Sequence, residues 1–221
     1  MAMYSSPLSM NRRNWVAALH GFLAPDRAIE HCELCGRMIA ADHGHLIEPR
    51  QRTLGFVWPV GSHERGAIGN GGLLRVPTEV RRLGDFHMSD EQWNTLLIPI
   101  GLAFFFHSQA AGRVLALYPG PAGATESLPG LDAWQALAQA NPGLASLAPD
   151  VEALLIHRIG PARQYYRVPI DRCYALVGLI RKHWHGLSGG SAVYTAVARF
   201  FADLDQAADV GGARHRERLH A

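Results

Sequence analysis

The chain has 221 residues, 48% of them hydrophobic, with 21 basic and 19 acidic side chains for a formal net charge of +2. This supports one main packed domain, or one with a small appendage, and the positive charge, on scattered arginines with Lys182 the only lysine, excludes the basic stripe of a nucleic-acid surface. Three cysteines are too few for a disulfide framework, Met1 to Arg13 lacks the apolar core of a secretory signal, and the longest apolar run, Leu96 to Phe106, falls short of the roughly 20 residues that cross a bilayer; a cytoplasmic protein without membrane insertion is expected.

In chain order, Trp15, Ala18, Leu19, Phe22 and Leu23 recur at helical spacing, so Arg12 to Ala24 reads as a short amphipathic helix stopped by Pro25. After the turn Cys32-Glu-Leu-Cys35-Gly36, His45 to Glu48 and Thr53 to Trp58 read as two strands of a hairpin, the layout of a zinc-ribbon or rubredoxin-like module. Pro59 to Gly72 is rich in glycine and reads as a loop, so residues 1–72 form the expected N-terminal unit.

The body is expected over residues 73–210. Leu73 to Val76 reads as its first strand, and Ser89 with Gln92 forms a capping box that opens a short helix. Ile98 to His107 is apolar without alternation, which predicts a central strand covered on both faces. Gly112 to Tyr118 is its antiparallel partner, and Pro119 to Gly123 ends that hairpin. Leu131 to Ala140 reads as a helix bounded by Asn141-Pro142. Val151 to Ile159 and Gln164 to Val168 read as a second antiparallel pair punctuated by Gly160-Pro161. Two amphipathic helices, Ile170 to Trp184 and Ser191 to Gln206, complete the body, and residues 211–221, polar and basic, read as a disordered tail. The expected class is therefore α+β, a mainly antiparallel sheet packed by C-terminal helices.

Cysteines spaced Cys-x-x-Cys before a glycine supply two thiolates to a tetrahedral Zn²⁺ or Fe ion, and a closed site needs two further ligands. One of His43 or His45, together with His63, is the nearest set that completes Cys32 and Cys35. Two buried cysteines beside solvated histidines account for the same residues without an ion. A thioredoxin-like redox pair needs the mouth of a helix after a strand, which the flanking pattern does not supply.

Two stretches expose amides and hydroxyls: Thr125-Glu126-Ser127, and Ser188-Gly189-Gly190 before the last helix. Together they define a second possibility, an enzyme that holds a small anionic ligand between these loops. Ser191 as a helix cap and Glu126 as a solvated carboxylate account for the same residues without a ligand. Asp150, Glu152, Asp171 and Arg181 lie beside apolar segments, so one or more of them is expected to be partly buried and paired, with Asp171 at the head of a helix, where the dipole favours negative charge.

From Ile98 onward the chain resembles an uncharacterised bacterial family often encoded in gene clusters for nickel–iron hydrogenases. The resemblance is carried by Pro99-Ile-Gly-Leu-Ala-Phe-Phe-Phe106, Tyr118-Pro-Gly-Pro-Ala-Gly-Ala-Thr-Glu-Ser127, Asp150-Val-Glu-Ala-Leu-Leu155, Val168-Pro-Ile-Asp-Arg-Cys-Tyr174 and Trp184-His-Gly-Leu-Ser-Gly-Gly190, with the Cys32–Cys35 turn. It implies a non-catalytic accessory or assembly role, binding a hydrogenase subunit or maturation factor. It also implies a second cysteine cluster downstream; here that stretch, Thr53 to His63, contains no cysteine.

Overall fold

A computed structural model of the chain describes residues 30–31, 38–39, 44–49, 53–57, 72–127, 131–186 and 189–219. The strands are β1 (Glu30–His31), β2 (Met38–Ile39), β3 (Gly44–Glu48), β4 (Thr53–Val57), β5 (Leu74–Arg75), β6 (Arg81–Arg82), β7 (Leu102–Ser108), β8 (Arg113–Gly120), β9 (Gly123–Ser127), β10 (Glu152–His157) and β11 (Gln164–Pro169). The helices are α1 (Asp90–Thr95), α2 (Leu131–Ala140), α3 (Ile170–His183) and α4 (Gly190–Leu219), with a 3₁₀ turn at Pro142–Ser146. The helix expected at 12–24 lies outside the described residues, as does the glycine-rich loop up to residue 71.

The main sheet has six strands in the order β6-β11-β10-β7-β8-β9, every neighbour antiparallel. Side chains alternate across a strand, and in β7 both sets are buried. Phe104 and Phe106 enter one core with Leu155, Tyr166 and Val168, closed by Leu176 and Ile180 of α3 and Val197 and Phe201 of α4. Ala103 and Phe105 face the other way, into a second core with Leu154, Ile156, Leu96, Leu137 and Leu144. A strand with cores on both faces has no polar positions to alternate, which is why Leu102 to Phe106 is continuously apolar.

The start of α1 is closed as its sequence requires. Gln92 N donates to Ser89 Oγ at 3.0 Å and Ser89 N donates to Gln92 Oε1 at 2.9 Å. Both hairpins expected in the body form, β7 with β8 and β10 with β11.

Three expectations are corrected. Leu73 to Val76 does not open the body's sheet: its strand β5 pairs with β3, giving a three-stranded sheet β4-β3-β5. Ile47 of β3 and Val76 then share the core of Phe104 and Tyr166, so the N-terminal strands are packed onto the body. Gly123 to Ser127 is no loop but the edge strand β9, in register with β8 from Gly120↔Gly123 to Ala116↔Ser127. The polar segment after residue 210 continues α4 as far as Leu219. Alanine, arginine and glutamate are good helix formers without an apolar face, and late basic residues complement the helix dipole.

Candidate functional site

Among the sequence-predicted ligands, His45 is the one whose side chain is described. It sits on β3, and its Nδ1 lies 2.5 Å from Oδ2 of Asp171 in the first turn of α3. A carboxylate can only accept, so Nδ1 carries the hydrogen. The two side chains are 15% and 11% exposed. Asp171 is thus the paired carboxylate at the helix head, and the pair ties the N-terminal strands to the body. Its other oxygen, Oδ1, is buried without a hydrogen-bond partner. Two residues on, Cys173 is fully buried, and burial pushes its thiol well above the ordinary range, with the Asp171 charge adding to the shift.

Cys32, Cys35, His43 and His63 lie outside the described residues, in segments whose neighbours are described. β1 and β2 pair antiparallel, with His31 opposite Met38 and Glu30 opposite Ile39. Cys32 and Cys35 belong to the stretch that joins those strands. Among the described residues, no three His, Cys, Asp or Glu side chains gather to hold an ion.

The described residues of the expected anion loops have separate partners. Glu126 Oε1 accepts from Arg113 at 2.6 Å across the β8–β9 ladder. The Ser127 hydroxyl is buried and donates to Leu96 O at 3.2 Å, while Thr125 is exposed on the edge strand. Gly189 forms a bridge with His185, is buried against Trp184 and has φ +85°, a conformation that favours glycine. Gly190 already belongs to α4, which places Ser191 inside the helix and not at its cap; Ser188 lies outside the described residues. The two stretches have no partner residue in common among these contacts.

Polar groups connect the elements, Arg158 and Asp205 among them unforeseen from the sequence. Arg158 donates to Tyr165 Oη at 2.7 Å and Met88 O at 3.2 Å, pairs with Asp90 and lies 5.6 Å from the Trp93 ring centre. Asp205 of α4 accepts from Tyr166 (2.8 Å), Arg82 (3.1 Å) and Gln164 (3.2 Å), and burial raises the Tyr166 phenol pKa. Glu152, one of the four charged residues noted beside apolar segments, accepts from Arg167 Nε and from Ala148 N, each at 2.8 Å. This pair borders a groove of about 1010 Å³ between the Arg75–Val80 segment and α4, with Asp203 and Val210 on the helix side. Most of these contacts join residues far apart in the chain, so no local motif announces them.

These contacts and the sheet define an α+β protein whose N-terminal strands are joined to its helices by a part-buried histidine–carboxylate pair. The chain belongs to a family of unknown function, DUF5947, which it matches over residues 31–208. The match takes in both the cysteine turn and most of α4, so the two ends of the fold belong to one family unit. No curated protein and no solved structure matches the chain. No described helix is long and apolar enough to cross a membrane.

Proposed function

We propose that the protein is a cytoplasmic, non-catalytic accessory or assembly factor that engages a protein partner, a nickel–iron hydrogenase subunit or maturation factor, with a zinc-ribbon or rubredoxin-like knuckle at its N-terminal end. The observation that carries this reading is the antiparallel pairing of Glu30–His31 with Met38–Ile39, which brackets a Cys-x-x-Cys-Gly segment as the strands of a metal knuckle do. The hydrogenase partner is supported by the family resemblance alone. Exposed apolar side chains at Leu97 and Ile100, on the loop entering β7, offer a surface of the kind partners use.

Elemental analysis of protein purified without added metal tests the knuckle. A structural Zn²⁺ site supplies on the order of 10 kcal/mol, so one equivalent of Zn or Fe should survive purification. Affinity purification from cells expressing the hydrogenase tests the partner: a subunit or maturation factor should be recovered, and its absence across several growth states counts against the assignment. The groove along α4 favours a second reading, a small molecule with both apolar and charged groups; its volume suits such a ligand. Saturable stabilisation by a ligand, lost in Ala207→Trp, would establish it.

A further inference from the structure

Resting on the second reading, that the groove along α4 holds a small molecule, we infer that its ligand is a short aliphatic peptide with free termini, whose carboxylate pairs with Arg75 and whose ammonium group pairs with Asp203. The charges that line the groove fall into two sets. Glu79 is committed to Arg81, and Glu152 to Arg167, which also donates to Ser146. Arg75 and Asp203, both exposed, have no ion pair or hydrogen bond among the described residues, with each other or with a neighbour. One cation on the extended wall and one anion on the helix wall are left for a ligand. The groove is therefore matched to a molecule with one charge of each sign.

The rest of the lining sets the body of that molecule. Val76, Val80, Val151, Ala207 and Val210 contribute short aliphatic side chains. None of the described lining residues is aromatic, so a nucleobase, a flavin or a quaternary ammonium group finds no ring to stack on or to enclose it. Asp203, Ala207 and Val210 follow at steps of four and three residues, so one face of α4 runs along the groove for about 10 Å. An extended tripeptide spans about 10 Å and carries its two charges at opposite ends. A single amino acid, whose charges share one carbon, fills only a small part of that length. The volume, about 1010 Å³, accommodates the peptide. Arginine suits the carboxylate end, because its planar fork grips both oxygens.

The test is isothermal titration of the full-length protein with Ala-Leu-Ala in free, N-acetylated and C-amidated forms. The free peptide should bind at one equivalent, and each capped form about 5-fold more weakly, as for the loss of a partly solvated ion pair. Arg75→Gln should weaken the free peptide about 5-fold and leave the amide as in wild type. Asp203→Asn should weaken the free peptide to the same degree and leave the acetylated form as in wild type. Both side chains are exposed, so both variants keep the fold, which circular dichroism checks. Three forms that bind alike, or variants that weaken all three equally, overturn the assignment of the termini. Binding that persists in Ala207→Trp puts the peptide outside the groove and overturns it too. If no form binds, the inference fails; octanoate or octylamine that binds, and is lost in Ala207→Trp, then leaves the groove a small-molecule site, and binding of neither ends that reading as well.

Discussion

At the scale of the residue, the magnitude of an ion pair depends on which partner is buried. The Arg158 side chain is 3% exposed and that of Asp90 75% exposed. Removing Asp90 leaves the guanidinium its bonds to Tyr165 and Met88 and its place near Trp93, so Asp90→Asn should cost within about 1 kcal/mol, as for a surface pair. Arg158→Ala strands two acceptors and removes packed atoms, and should cost about 2–4 kcal/mol. Urea unfolding of both variants checks the asymmetry; equal losses would mean that the ion pair itself dominates.

His157 carries the residue-scale pH dependence. Its ring stacks on Phe201 with centroids 3.9 Å apart, and Nδ1 lies 2.7 Å from Gln164 Oε1. Burial lowers its pKa from the ordinary value near 6.5, against opposing help from Gln164 and Asp205. The unfolded chain therefore takes up the proton first. The stability from the neutral ring is present above pH 6.5 and is lost as the pH falls from there towards the lowered folded value. Unfolding midpoints between pH 7.5 and about pH 5 should fall more steeply in wild type than in His157→Gln, and parallel curves would refute the assignment.

At the scale of the element, what was legible in the sequence is what local chemistry controls. The capping box at Ser89, the unbroken apolar strand β7 and the helix Leu131–Ala140 follow from neighbouring residues alone. β9 was hidden because Pro119 and Gly120 look like the end of a strand. β8 pairs with β7 only as far as Leu117, so Pro119 falls where the strand has a single neighbour, the setting in which proline is tolerated. The His45–Asp171 pair was half legible: both residues stood out, one as a ligand and one as a helix-head acid, but no local pattern could join them. Gly101 was equally opaque, since the need for glycine comes from the Arg158 backbone, which a Cβ there would approach to 2.7 Å.

The loop before β7 yields a prediction of the same scale. Leu97 adopts φ +54° and is 70% exposed, a left-handed conformation that strains a leucine by about 1–2 kcal/mol. Asn tolerates that region, and little burial is lost, so Leu97→Asn should raise stability by about 1 kcal/mol in thermal or urea unfolding. If this loop is the partner surface, the same variant should weaken capture of the partner while the protein itself becomes more stable.

At the scale of the whole molecule, the question is whether the N-terminal strands form an appendage or part of the fold. Ile47 and Val76 are 4% and 2% exposed, in one core with Phe104, Tyr166 and Leu176. β5 pairs with β3 at Leu46↔Arg75 and Ile47↔Leu74, and His45 reaches Asp171 across the same junction. The family match over residues 31–208 spans that junction without interruption. A fragment beginning at residue 73 would leave β5 without its partner strand, open one side of the core and strand the buried Asp171 carboxylate. Losing the packing of Ile47 alone is worth about 2–5 kcal/mol by analogy with a large-to-small core substitution, a large share of the 5–15 kcal/mol that holds a domain folded. The fragment 73–221 should therefore bind a hydrophobic dye and lose its cooperative transition, whereas the full chain should unfold with coincident changes in circular dichroism and tryptophan fluorescence. A fragment that unfolds cooperatively at the temperature of the full chain would show that the body stands alone, and that the contacts through Ile47 and His45 hold the N-terminal strands in place without stabilising what they rest on.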